Sequence, residues 1–175
     1  MKPHEQHRHA APKEVKVAVV TVSTSKYRET QEGKTQVSDL SGDTIRRLAE
    51  QAGYTIVSQE LIDDDVGMIR LTVLKNIYEA GADAVILTGG TGITGRDVTI
   101  EALRPLFEKE LDGFGDVFRN LSYQQVGAPA HLSRAAAGVI NHRLVYCLPG
   151  SPNAVETALN MILPELPHAV HMAKS

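Results

Sequence analysis

Only one cysteine, Cys147, occurs in the 175 residues. Without a second thiol no intrachain disulfide can form. Tryptophan is absent and aromatic residues make up 5% of the chain. Basic residues do not cluster with aromatics anywhere, and 18 Lys+Arg against 21 Asp+Glu give a net charge of -3. The electrostatic footprint of a nucleic-acid binder is therefore missing. No apolar run is long enough to span a bilayer, and no N-terminal stretch has the charged, apolar, small-residue order of a secretory signal. A soluble, cytoplasmic protein with neither nucleic-acid nor membrane partners is expected.

What is present fits one α/β-sized domain: 42% hydrophobic and 22% charged residues, enough for a sizeable core. Residues 1–14, with His4, His7, His9 and two prolines, hold almost nothing apolar. They are expected to be a disordered tail, since no cysteine or carboxylate pattern completes a metal site around those histidines. The folded domain is expected over residues 15–175.

The stretch AVILTGGTGITGRDVTIE, residues 84–101, organises the chain. Its β-rich start reads as a short buried strand that stops at Gly89, Gly90, Thr91 and Gly92. Glycines let backbone N–H groups approach an anion, and a helix starting near Asp97 would turn its positive end to the same point. Asp97 stands where an N-cap would, and a carboxylate beside a phosphate calls for a metal ion between them. Gly90, Gly92 and Gly95 also satisfy the dinucleotide pattern G-x-G-x-x-G. That reading fits poorly, because the loop follows the third strand and Asp97 would repel an unmetallated pyrophosphate. A lysine-bearing phosphate loop is excluded, since Arg96 and Asp97 follow Gly95.

Residues 15–23 read as a central strand of a parallel sheet, ending at Ser23. Residues 27–40 are polar, without periodicity, and read as a long loop. Asp39 or Ser41 can cap a helix with Ile45, Leu48, Ala49 and Ala52 inward, and Asp43 in its first turn either complements the helix dipole or contacts a ligand. A second strand over 54–62 leads into Asp63, Asp64 and Asp65, at the carboxyl end of a strand, where α/β folds bind ligands. One of the three can cap the next helix, and a divalent cation is the simplest reason for adjacent like charges.

Further along, a helix is expected over 99–107, and a turn around Gly113 and Gly115 precedes a helix with Val117, Phe118 and Leu121 inward. Two strands joined by Asn141-His142 follow, with residues 144–148 alternating toward the core and Cys147 a buried hydrophobe. Pro149-Gly150-Ser151-Pro152 is a second strand-to-helix junction, with Ser151 the cap. A final short helix is entered through Pro164 and Pro167.

Taken together, LTGGTGITGRDVTIEAL, FGDVFRNLSYQQVG, LSRAAAGV and LPGSPNAV, in this order, resemble the MoaB/MogA family of molybdopterin adenylyltransferases, related to the gephyrin G domain. The likeness runs from residue 15 onward, and residues 114–127 are more similar to the MoaB branch. It implies a three-layer α/β/α fold with a mainly parallel central sheet, in trimers or hexamers. It also implies a role in molybdenum cofactor synthesis, in which molybdopterin and ATP, with Mg2+, give adenylyl-molybdopterin and pyrophosphate; a MoeA-like molybdenum insertase is the implied downstream partner. Two acids functional in the family match Asp64 and Asp97, expected to be catalytic, with Asp64 as metal ligand. Asp63 and Asp65 depart mildly from the pattern by flanking the matching acid. Thr88, Gly89, Gly90, Thr91 and Gly92, with Ser133, Pro149 and Gly150, are expected to hold the pterin and its phosphate, and Ser23, Asp43 and Arg96 complete the substrate-binding set. A carrier that binds molybdopterin without adenylating it would need the glycine loop but neither aspartate.

Overall fold

Valines at alternate positions decide the centre of the molecule. In a computed structural model, which describes residues 12 and 14–175, strand β1 (Lys16–Val22) turns Val17 and Val19 to one face and Ala18, Val20 and Val22 to the other, all buried. A strand covered on both sides must be apolar on both sides, hence the unbroken run. Strands β2 (Thr55–Ile62), β3 (Ala84–Thr88), β4 (Lys109–Glu110), β5 (Ala136–Ile140) and β6 (Arg143–Leu148) complete one sheet in the order β2-β1-β3-β6-β5-β4. The first four in that order are parallel, and β5 runs against both its neighbours. The fold is therefore the mainly parallel three-layer α/β/α that the motifs implied.

Two cores result. One face of the sheet packs under α2 (Leu40–Gln51), α5 (Asp112–Val126), α6 (Pro152–Ile162) and α7 (Leu166–Lys174), through Ile45, Phe118, Leu159 and Leu166. The other packs under α3 (Val66–Tyr78) and α4 (Thr99–Leu103), through Ile69, Val73, Ile100 and Leu103. Each such fully buried side chain contributes about 1.5–3 kcal/mol. The hairpin β5–β6 turns at Asn141 (φ 46°) and His142 (φ 59°), the two left-handed positions that a two-residue turn between twisted strands requires. Among the described residues no helix is long and apolar enough to cross a membrane.

Several expectations change. The polar stretch expected to be a loop over 27–40 begins inside a helix, α1 (Thr24–Gln31), which buries none of its residues. It escaped detection because polar anchoring at Thr24, and not an apolar stripe, holds it. The helix expected over 99–107 stops at Leu103 and gives way to a 3-10 turn, Arg104–Leu106, because Pro105 lacks an N–H for the α ladder. Gly113 and Gly115 lie within α5, not in a turn, and Val117 is 49% exposed while Phe118 and Ser122 face inward. Strand β6 is buried on both faces and does not alternate, because it lies between β3 and β5. The tail expected over residues 1–14, with His4, His7 and His9, lies outside the described residues save for 12 and 14.

Candidate functional site

The carboxyl ends of β1, β2, β3 and β6 lie side by side because the strands are parallel and in register. Their continuations, Ser23, the three aspartates, the glycine loop and Pro149-Gly150, consequently converge: Ser23 N donates to Ile62 O at 2.9 Å and Gly89 N to Leu148 O at 3.0 Å.

The three aspartates separate into three roles. Asp65 is the N-cap of α3, accepting from Met68 N at 2.7 Å. Asp63 closes its own turn, accepting through Oδ1 from Asp64 N at 2.8 Å, and also receives the Thr24 hydroxyl. Asp64 is held from across the sheet: its Oδ2 accepts from Thr24 N at 2.9 Å, with the Thr24 hydroxyl at 3.1 Å. Its Oδ1 carries no hydrogen bond among the described residues, and points past Gly90.

Asp97 does not cap the helix, as its position suggested. The N-cap of α4 is Val98, and Asp97 closes a four-residue turn instead, its Oδ2 accepting from Thr94 N at 2.9 Å and Thr94 Oγ1 at 2.7 Å. Asp97 sits one residue before the cap, and its carboxylate is taken up by two donors of the threonine three residues back. Nor does that helix aim its first N–H at a ligand, since Thr99 N donates to Gly90 O and Thr99 Oγ1 to Gly89 O, each at 2.9 Å. As in Asp64, the second oxygen of Asp97, Oδ1, has no hydrogen bond among the described residues.

Glycine is required in the loop by these neighbours. Gly89 (φ +95°) and Gly90 (φ +63°) occupy the left-handed region, and a Cβ on Gly90 would come within 2.6 Å of Asp64 Oδ1. At Gly92 a Cβ would meet Asp97 Oδ2 at 2.7 Å. The loop thus makes room for the two carboxylates that flank it.

A cleft of about 360 Å³ joins these parts, and of the expected residues Ser23, Asp64, Gly90, Arg96 and Asp97 line it. Others support it from behind. Thr88 is buried and donates its hydroxyl to Pro149 O at 2.9 Å, Gly150 O accepts from Ser41 Oγ at 2.7 Å, and a Cβ on Gly150 would stand 3.4 Å from Gly89 Cα. Thr91 is buried. Gly92 O accepts from Arg134 Nη1 at 2.8 Å, while the adjoining Ser133 ends a 3-10 turn and does not line the cleft. Asp43 lies apart, accepting from Gln59 Nε2 at 3.0 Å and facing Arg46 on α2. Cys147 is fully buried and its thiol is pushed up to about 12 by that burial, which leaves it no nucleophilic role near neutral pH.

Thr24, Ser25, Arg28 and Thr94 also line the cleft and were not singled out by sequence. Two signals were available for them: hydroxyls running on past the end of a strand, and a Thr-x-x-Asp spacing that closes a side-chain-capped turn. Among the described residues no cluster of three or more His, Cys, Asp or Glu side chains is gathered to hold a metal.

Comparison with known proteins gives a consistent result. Residues 18–168 match the family described as "Probable molybdopterin binding domain". Molybdenum cofactor biosynthesis protein B of Bacillus subtilis is 45% identical over 168 residues, covering 95% of this chain and 94% of that protein. A probable molybdopterin adenylyltransferase of Methanocaldococcus jannaschii is 45% identical over 160 residues, covering 91% and 94%. The crystal structure of the tungsten cofactor synthesizing protein MoaB from Pyrococcus furiosus superposes with a TM-score of 0.83 at 41% identity, over 94% of this chain and all of that one.

Proposed function

The chain belongs to the MoaB/MogA family of probable molybdopterin binding domains, and on that premise we propose that, within molybdenum cofactor biosynthesis, it transfers the adenylyl group of ATP to molybdopterin and releases pyrophosphate. One observation carries the reading. Asp64 and Asp97 line the same cleft, each fastened through Oδ2 and each with Oδ1 free of hydrogen bonds among the described residues. A carrier would need the glycine loop but neither acid.

The donor set fits Mg2+ brought in with a nucleotide. Two carboxylate oxygens are too few for a resident cage, but Mg2+ is commonly bound by one or two carboxylates with substrate phosphates and waters filling its octahedron. Oδ1 of Asp64 and Oδ1 of Asp97 would hold it, and when bound it supplies neutralisation of charge on the phosphate oxygens.

The chain's own residues do the rest. Thr24 and Thr94 hold the two carboxylates in place before substrate arrives, so little reorganisation accompanies the reaction. The glycine loop lets ligand and carboxylates approach without a Cβ between them. Phosphoryl transfer of this kind depends on positioning and charge stabilisation. The pterin phosphate is already ionised near neutral pH, which suits a cleft whose lining contains no histidine.

Incubation with molybdopterin, Mg2+ and ATP labelled at the α-phosphate tests the reading. Labelled adenylyl-molybdopterin with one equivalent of pyrophosphate is the expected result. Pterin binding with no label transferred would replace the enzyme by a carrier.

A further inference from the structure

Nearly every described arginine has a partner. Arg46 faces Asp43 and Glu50, Arg104 Glu110, Arg119 Asp116, and Arg134 Glu101; Arg47 pairs with Glu156, and Arg70 and Arg143 donate to carbonyls. Among the described residues only Arg28 and Arg96 have guanidiniums without a hydrogen bond or ion pair, and both line the cleft that holds Asp64 and Asp97. Arg96 lies on the glycine loop, so its presence there was foreseeable from sequence. Arg28 comes from α1, a helix with no fully buried residue that is tied to the site at its first residue through Thr24. Positions 24 and 28 are four apart, so the helix face anchored on Asp64 is the face that carries Arg28.

We infer that Arg28, with Arg96, forms the subsite for the β- and γ-phosphates of the nucleotide, the part that leaves as pyrophosphate. The inference rests on the adenylyl-transfer reading and extends it. In that reaction a bond forms between a pterin phosphate oxygen and the α-phosphorus. The bond from the α-phosphorus to the oxygen it shares with the β-phosphorus breaks, and its electron pair departs on that oxygen. No oxidant, reductant or proton donor is needed. Charge builds on the leaving group, and a guanidinium presents a planar set of N–H donors matched to phosphate oxygens. The cleft then divides its labour: Asp64 and Asp97 would hold the metal, and cations that no acid of the protein has neutralised receive the departing anion.

The test is calorimetric titration of the full chain with magnesium pyrophosphate and, separately, with AMP. Arg28→Gln should weaken pyrophosphate about tenfold, the scale of one charge-assisted hydrogen-bonding group, and leave AMP unchanged, while Arg28→Lys falls between. Because Arg28 is exposed and its guanidinium has no hydrogen bond or ion pair among the described residues, circular dichroism of both variants should match the wild type. Unchanged pyrophosphate affinity in Arg28→Gln overturns the inference, as does wild-type protein that binds no pyrophosphate. So does an equal loss for AMP, which would mark a displaced α1. Adenylyl transfer is measured alongside: a wild type that binds pyrophosphate through Arg28 yet forms no adenylyl-molybdopterin sinks the reaction and leaves the phosphate subsite standing.

Discussion

Asp64 Oδ1 stands 2.6 Å from the point where a Cβ of residue 90 would be, so the carboxylate rests against the bare backbone of Gly90. An acid after β2 and a glycine after β3 have to be read as one feature. The acid keeps its position only while residue 90 has no side chain.

Gly90→Ala should therefore damage both fold and site. The backbone at φ +63° alone costs about 1–3 kcal/mol for a residue with a Cβ, and the methyl would also collide with Thr99 Oγ1. Urea unfolding should show the lost stability, and adenylyl transfer should fall by about a hundredfold, the scale of a roughly 1 Å displacement at a reacting centre. Full turnover in Gly90→Ala would show that Asp64 tolerates being moved.

Asp64→Ala and Asp97→Ala should each lower turnover by about a hundredfold or more, as expected for removal of one charge-stabilising group. The measurement is initial rate against Mg2+ concentration, with a raised Mg2+ requirement in each variant. Wild-type rates in both would reject the two assignments.

Asp65→Ala should behave in the opposite way. Its carboxylate caps α3 through Met68 N, so its loss should lower unfolding free energy by about 1 kcal/mol while turnover stays at the wild-type rate. A large loss of turnover with unchanged stability would transfer the metal role from Asp64 to Asp65.

Cys147 gives a dependence on pH. Burial raises its thiol from 9.0 to about 12 in the folded chain. A group whose folded value is raised supports folding fully below its unfolded value, and that support declines as pH rises through the folded one. Unfolding free energy should thus decline between pH 9 and about 12, and less steeply in Cys147→Ala. Tyr146, whose phenol burial also raises, adds to the same trend in both proteins, so the difference between them isolates the thiol. Thiol reagents should leave Cys147 unmodified at pH 8 until denaturant is added.

Much of the architecture was legible because burial leaves a pattern. Residues 15–23 and 84–88 had to be central strands, since only a strand covered on both faces can be so continuously apolar, and Asn141-His142 had to be a tight turn. Where burial supplies no pattern the reading failed: α1 fully buries none of its residues, β4 is two polar residues long, and in α5 the inward positions are Phe118 and Ser122 with Val117 outside.

By itself, the sequence determined which residue types reach the carboxyl ends of the strands, because each strand's apolar run ends where its acid, hydroxyl or glycine begins. Only the tertiary structure decided how those residues divide the chemistry. Asp63, Asp64 and Asp65 are alike as letters; Asp65 is taken by its own helix, and what singles out Asp64 is the N–H of a threonine forty residues away in the chain, brought within 2.9 Å by parallel pairing of β1 with β2. Long-range pairing of that kind follows from strand order, and no local pattern of residues encodes it.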